Sequence, residues 1–124
     1  MALLREYKEI AYQWGIWKTE ESPEELLALL PDPERYEQQL TLFSSPHRKL
    51  EWLSVRVLLY QLLGEEKTIE YAPSGKPHLA DSSYFISISH TRGYVAVILS
   101  AVSEVGIDIE QYGQRVHKVA HKYM

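Results

Sequence analysis

The spacing of the apolar residues changes once along this chain, and that change limits the folds it can adopt. Between about residues 47 and 63, apolar side chains recur at the three- and four-residue spacing of a helix, and Gly64 supplies a stop signal. From residue 84 onward, segments rich in β-branched and aromatic residues indicate strands at 84–90, 94–102 and 105–110. Turns are expected between them at Gly93 and at Ser103-Glu104. The sequence therefore predicts a mainly helical first half followed by strands.

The first half carries start signals for three helices. Each is a capping residue followed by proline at the first helical position: Ser22-Pro23, Asp32-Pro33 and Ser45-Pro46. Glu25 completes a capping box with Ser22. Residues 11–18 before them are typical of a strand, and a last amphipathic helix is predicted over residues 114–123. Because that helix has no glycine or proline stop, it is either an ordinary C-terminal helix or a helix in a truncated chain.

Composition excludes several classes of function. The 124 residues suffice for one domain, and the net charge of −4 gives no reason to expect nucleic-acid binding. Without cysteine, the chain has no disulfide, thiolate metal site or cysteine nucleophile. The apolar stretches are too short to cross a membrane, and the charged N-terminal residues lack the apolar core of a signal peptide. We therefore expect a cytoplasmic protein with no membrane partner.

An acidic pair on a predicted strand is the first candidate site. In Gly106-Ile107-Asp108-Ile109-Glu110, alternate residues share a face, so the isoleucines point to the core and Asp108 and Glu110 point together elsewhere. Two neighbouring carboxylates repel each other unless a cation or donor lies between them. Mg²⁺ prefers such hard oxygen ligands. The alternative is a solvated edge strand.

A serine and a histidine close the strand before it. In Ile86-Ser87-Ile88-Ser89-His90 a hydroxyl beside a hydrogen-bonding or cationic histidine suits a phosphate contact. A Ser89–His90 nucleophile pair is disfavoured, because adjacent residues of a strand face opposite sides. The alternative is a structural or merely exposed histidine.

Three further cations are candidates for anion binding. Lys76 lies in Ser74-Gly75-Lys76-Pro77, where glycine permits a turn and proline stiffens the backbone after the lysine. Arg48 and Arg56 share one ridge of the long helix with Trp52, at spacings of four, and guanidinium groups match phosphate oxygens. The alternatives are a plain turn and a solvated basic helix face.

The order of these motifs along the chain is more specific evidence about function than any one motif alone. Arg48 with Glu51-Trp52-Leu53-Ser54-Val55-Arg56 is succeeded by Gly75-Lys76-Pro77, then Ile88-Ser89-His90, then residues 105–110. This succession resembles the 4′-phosphopantetheinyl transferases of the surfactin-synthetase-activating (Sfp-like) type, over roughly residues 45 to 110.

The resemblance implies an α+β fold, with helices packed on a small, mainly antiparallel sheet. Residues 1–124 would form the N-terminal half of a pseudo-twofold enzyme that binds coenzyme A between two similar halves. Asp108 and Glu110 would hold Mg²⁺, while Arg48, Lys76, Ser89 and His90 would contact the nucleotide and its phosphates. Arg56 would join them if the helix phase allows. The enzyme would transfer 4′-phosphopantetheine to a serine of an acyl, polyketide or peptidyl carrier protein.

One departure from the family pattern concerns the second half. The family continues to a further glutamate and a Trp-x-x-Lys-Glu-Ala-like segment, which supplies a third acidic ligand or base and a phosphate-binding lysine. Here Trp14, Trp17 and Trp52 all come too early, so the base or third ligand is expected beyond Met124. We therefore expect no secure catalytic residue in this chain, little transfer activity from it alone, and a homodimer through the exposed half-cleft.

Three other functions compete with this interpretation. A non-catalytic domain binding coenzyme A, another nucleotide or a carrier protein on the same fold is the main alternative. A short, trimeric holo-acyl-carrier-protein synthase is disfavoured, because that class has its Gly-Ile-Asp motif near the N-terminus. A general Mg²⁺-dependent phosphoryl enzyme is disfavoured by the lack of a glycine-rich phosphate loop.

Overall fold

The structure, a computed structural model, describes residues 3–8, 12–112 and 115–122, with side chains described for Glu6, residues 12–107 and Ile109. In chain order its elements are β1 (Leu3–Lys8), β2 (Tyr12–Lys18), α1 (Pro23–Ala28), α2 (Glu34–Leu40), α3 (Pro46–Leu63), β3 (Ile69–Tyr71), β4 (Pro77–Leu79), β5 (Phe85–Thr91), β6 (Tyr94–Ser100), β7 (Val105–Tyr112) and β8 (Arg115–Lys122).

Small antiparallel sheets make up the β part of the molecule. The main sheet has the strand order β1-β2-β6-β5, and β3-β4 and β7-β8 form separate two-stranded sheets. Every pair is antiparallel. The predicted α+β class is confirmed, and the arrangement is consistent with one half of the transferase fold. No helix in the described ranges is long and apolar enough to span a membrane.

Two of the three predicted helix starts are confirmed with their caps. The Ser22 hydroxyl accepts from the Glu25 amide at 3.2 Å, and the Glu25 carboxylate accepts from the Ser22 amide at 3.0 Å. Ser45 caps α3 by accepting from the Arg48 amide, and Gly64 ends that helix with φ of 73°. Such a left-handed φ favours glycine. Asp32 makes no side-chain cap, because α2 begins one residue later than predicted, after Pro33.

The helix predicted over residues 114–123 is wrong, because residues 115–122 form strand β8. Its backbone pairs with β7 from Tyr112↔Arg115 to Val105↔Lys122. A short apolar run is compatible with the period of a helix or of a strand, so its pairing with a neighbouring strand decides which one forms. A lone β7 would leave a row of unpaired N–H and C=O groups, which β8 satisfies.

The main sheet is covered on both faces. On one face α3 packs against Trp17, Val95, Val97 and Leu99 through buried side chains that include Leu53. On the other face β7 packs against the alternate positions of the same strands, with Ile107 and Ile109 against Ile16, Ala96 and Ile98. The period-two alternation of β6 thus serves two separate cores.

Candidate functional site

The strand that carries the acidic pair has its predicted orientation. The Ile107 and Ile109 side chains are 3% and 5% exposed and lie in the second core. Positions 108 and 110 therefore belong to the opposite face of β7. The side chains of Asp108 and Glu110 lie outside the described residues, so their role as metal ligands stays a prediction. Among the side chains that are described, no three histidine or carboxylate groups are placed to hold a metal.

Two serine hydroxyls attach the acidic strand to the main sheet. The Ser87 hydroxyl accepts a hydrogen bond from the Ile107 amide at 3.3 Å, and the Ser89 hydroxyl accepts one from the Ile109 amide at 3.2 Å. Within the described part of the chain, the backbone of β7 pairs with β8 and with no strand of the main sheet. Ser89, predicted as a ligand contact, thus helps to hold β7 on the main sheet. Because its hydroxyl only accepts in this hydrogen bond, its proton is still available for a bond to a ligand.

A cleft of about 740 Å³ brings together three of the predicted cationic residues. Arg48 and Arg56 of α3 and His90 of β5 line it, beside aromatic side chains that include Trp52 and Tyr71. Arg48 and Arg56 lie on α3 and His90 lies near the end of β5, so the packing of the helix on the sheet brings them to one cleft. Such a grouping of cationic side chains suits anion binding, although the Glu51 carboxylate lines the same cleft.

Arg56 is a buried cation at this cleft. Its side chain is 7% exposed, and the guanidinium lies over the Trp52 ring at 4.0 Å from the centroid. It donates to the Trp52 carbonyl and the Tyr71 hydroxyl, each at 3.3 Å. Burial lowers the pKa of Arg56, and Tyr71 partly opposes that shift. The described residues provide no carboxylate partner for Arg56. Because Arg56 is buried, the solvated-face alternative is wrong for it, whereas the exposed Arg48 agrees with that alternative.

Sequence reasoning missed the role of Glu51. Its carboxylate contacts His90 Nδ1 at 2.7 Å and His47 Nε2 at 3.7 Å. The His47–Glu51 spacing of four along α3 was a readable signal for an interaction on one helix face. The contact with His90 depends on how the helix packs against β5, which no local pattern reveals.

Lys76 lies apart from the other cations. It follows Gly75, whose φ of 90° makes the turn, and its ammonium pairs with the Glu104 carboxylate at 3.1 Å. Lys76 lines a second cleft of about 700 Å³, together with Ser87 and Gly106 at the start of the acidic strand. Pro77 lines both clefts, so they lie next to each other.

Comparison with known proteins gives a partial match. No family model matches the chain. A 64-residue segment is 38% identical to the 4′-phosphopantetheinyl transferase AcpT of Salmonella typhi, and the same figures apply to AcpT of Escherichia coli K12. The segment covers 51% of this chain but 33% of each relative, so the chain spans about a third of the relatives it matches. The matches support the 4′-phosphopantetheinyl transferase superfamily and do not reach the Sfp-like type.

Proposed function

We propose that this chain is the coenzyme A-binding N-terminal half of an Sfp-like 4′-phosphopantetheinyl transferase that acts in the cytoplasm. The observation that carries the proposal is the cleft in which Arg48, Arg56 and His90 converge. The match to curated transferases supports the same family.

The buried, uncompensated charge of Arg56 favours the binding of an anion in this cleft. A guanidinium taken out of water without a carboxylate partner has lost hydration that only hydrogen bonds and ring contacts replace. A phosphate oxygen would supply the missing negative charge and a further acceptor beside the Trp52 carbonyl and the Tyr71 hydroxyl. Arg48, more exposed and at the edge of the same cleft, would complete a two-arginine contact.

The acidic strand would supply the metal site. With Ile107 and Ile109 buried, positions 108 and 110 belong to one face, and the carboxylates of Asp108 and Glu110 are the donors that Mg²⁺ prefers. The residues present therefore fit the ion. When bound, Mg²⁺ would neutralise charge on the pyrophosphate of coenzyme A.

The proposed reaction is a displacement at phosphorus. The serine oxygen of an acyl, polyketide or peptidyl carrier protein forms a bond to the phosphorus that bears pantetheine. The pyrophosphate P–O bond breaks, adenosine 3′,5′-bisphosphate leaves, and the serine proton passes to a base. The cations of the cleft would hold the phosphates during this step. Lys76 and Ser89 would assist, with Lys76 exchanging Glu104 for a phosphate oxygen.

Binding of coenzyme A tests this proposal. We expect saturable binding by the chain in the presence of Mg²⁺, measured by isothermal titration calorimetry. Arg48→Ala, Arg56→Ala and His90→Ala should each weaken it roughly tenfold, as lost charge-assisted hydrogen bonds do. Arg92→Ala is the matched control, since Arg92 is an exposed arginine of the β5–β6 turn outside the cleft. Equal binding by all four variants would contradict the proposal.

Transfer separates the enzyme from the alternative binding domain. The complete product of the gene should move a fluorescent coenzyme A analogue onto apo carrier proteins in the presence of Mg²⁺. Binding without any transfer would favour a non-catalytic domain on the same fold.

The proposal extends to a homodimer through the cleft side of the chain. Leu42 lines the cleft and is 81% exposed, an arrangement that a second copy would cover. Sedimentation showing only monomer at tens of micromolar (about the range of weak contacts) would contradict it.

A further inference from the structure

We infer that Glu51 is a positioning residue that fixes the ring tautomer of His90, so that His90 donates to an anion in the cleft only when its imidazole is doubly protonated. The identity of that anion rests on the proposed function, whereas the state of the ring does not.

The tautomer follows from the contact between the two side chains. Glu51 Oε2 lies 2.7 Å from His90 Nδ1. An ionised carboxylate only accepts hydrogen bonds, so Nδ1 must carry the proton. The other carboxylate oxygen lies 3.7 Å from His47 Nε2, one helical turn earlier, which is longer than a hydrogen bond. The 2.7 Å contact is therefore the one that makes Glu51 the acceptor for His90.

The second ring nitrogen is the one left for a ligand. In imidazole the two nitrogens point in divergent directions, so Nε2 points away from Glu51. The His90 side chain is 63% exposed, and the described residues offer Nε2 no hydrogen-bond partner. His90 also lines the cleft with Arg48 and Arg56. Nε2 is therefore the ring nitrogen that can meet an anion held by those arginines.

This tautomer makes the anion contact conditional. A neutral imidazole without Glu51 ordinarily carries its proton on Nε2 and can donate from there. With Nδ1 protonated instead, neutral His90 presents a lone pair at Nε2, which repels a phosphate oxygen. Only a second proton turns Nε2 into a donor. Glu51 therefore converts a constant contact into one that depends on protonation.

Charged groups around the ring act in both directions. From α3, Glu51 places a negative charge beside the ring, and Arg48, Arg56 and, when protonated, His47 contribute positive charge. From β3, the Tyr71 hydroxyl lines the same cleft. The strand next to β5 contributes no titratable group opposite His90, because His90 pairs with Val95 of β6. Glu51 is thus the one carboxylate that the described residues place against the ring.

Ring-nitrogen NMR tests the tautomer directly. In two-bond ¹H–¹⁵N spectra at alkaline pH, His90 should show a protonated Nδ1 and a bare Nε2. His78 is a control within the same molecule, because it meets Glu70 through the other nitrogen, Nε2, at 3.2 Å, and it should show the reverse pattern. Glu51→Ala should return His90 to the ordinary Nε2–H form, and Glu51→Gln should keep Nδ1–H, since its amide oxygen still accepts. An identical His90 pattern in wild type and Glu51→Ala would overturn the inference.

Ligand affinity tests the consequence. Affinity for adenosine 3′,5′-bisphosphate is measured over a pH series in which the NMR spectra report the protonation state of His90. Wild-type binding should be roughly three- to tenfold weaker where the ring is neutral, because one donor is lost. Glu51→Ala should flatten this profile at the alkaline end, because its neutral ring still donates. His90→Gln removes the titrating group, and the protonation of the nucleotide itself is common to all three proteins.

The two failures are distinguishable. Coincident pH profiles for wild type and Glu51→Ala, with measurable binding, would overturn the role of Glu51. No binding by any of these proteins would contradict the proposed function, and the NMR result would then decide the tautomer alone.

Discussion

At the scale of single residues, sequence reasoning named side chains that the structure brings to one cleft, but it did not give their partners. The family resemblance implied nucleotide or phosphate contacts for Arg48, Arg56 and His90, and that role stays a prediction. Their partners, Glu51 for His90 and Tyr71 for Arg56, come from other elements. Such contacts depend on how α3 settles on the sheet. A helix pattern states which residues share a face, but it does not state what that face meets.

Arg56 allows the cost of holding a cation in the cleft to be measured. Arg56→Met keeps most of the side-chain volume and removes the buried charge. We expect its free energy of unfolding to stay within about 1 kcal/mol of the wild-type value, because the lost ring contact over Trp52 is offset by the relieved desolvation. Stabilisation by added adenosine 3′,5′-bisphosphate should largely disappear. Thermal unfolding with and without the nucleotide measures both quantities.

Arg48→Met serves as the exposed counterpart. It should leave the unfolding of the ligand-free chain unchanged and reduce the nucleotide effect only in part. A strongly destabilised Arg56→Met that kept full nucleotide stabilisation would mean that Arg56 serves packing alone.

At the scale of elements, the sequence was sufficient to predict an element that contains its own start and stop signals. The helix α3 was predicted from its cap at Ser45 and its stop at Gly64, and the strands β5 to β7 from their residue types. Failures came where the partner decides. The segment 115–122 has apolar residues at helical spacing, but β7 draws it into a strand. The strand β1 was not anticipated, since its pairing with β2 depends on the sheet.

The hydrogen bonds from the β7 amides to the Ser87 and Ser89 hydroxyls of β5, called here the serine clamp, give a prediction at this scale. Ser87→Ala with Ser89→Ala leaves the amides of Ile107 and Ile109 without acceptors in a buried position. We expect a loss of about 1–3 kcal/mol per bond. Hydrogen exchange should quicken in β7 and β8 before it does in α3.

Ser74→Ala is a suitable control, because Ser74 lies in the exposed turn before Lys76. Unchanged exchange of the β7 amides in the double variant would mean that the buried isoleucines alone hold this strand.

At the scale of the whole molecule, one sheet joins two cores that meet different partners. Val97 faces the helices and Ile98 faces β7, and they are 0% and 2% exposed. The alternation of β6 made two buried faces foreseeable. The elements that cover each face were not foreseeable, because an apolar pattern shows that a face is buried but does not show which element packs on it.

Substitution of these neighbours should separate the two layers. Ile98→Ala should lower the free energy of unfolding by about 2–5 kcal/mol and speed hydrogen exchange mainly in β7 and β8. Val97→Ala should speed exchange mainly in α3. If both variants quickened exchange uniformly, the two cores would act as one cooperative unit.

The serine clamp also bears on how this chain can change its length. Ser87 meets Ile107 and Ser89 meets Ile109, so β5 and β7 run in the same direction with a constant offset of 20 residues. These two hydrogen bonds, two residues apart on each strand, fix the register of β7 relative to β5 and therefore the positions of residues 108 and 110. The register does not depend on the length of the turn before β7. The turn at residues 101–104 can then gain or lose residues while positions 108 and 110 keep their place on the sheet. Insertions there should be tolerated in homologues and in engineered variants, whereas a single inserted residue inside β7 would put the acidic positions on the wrong face.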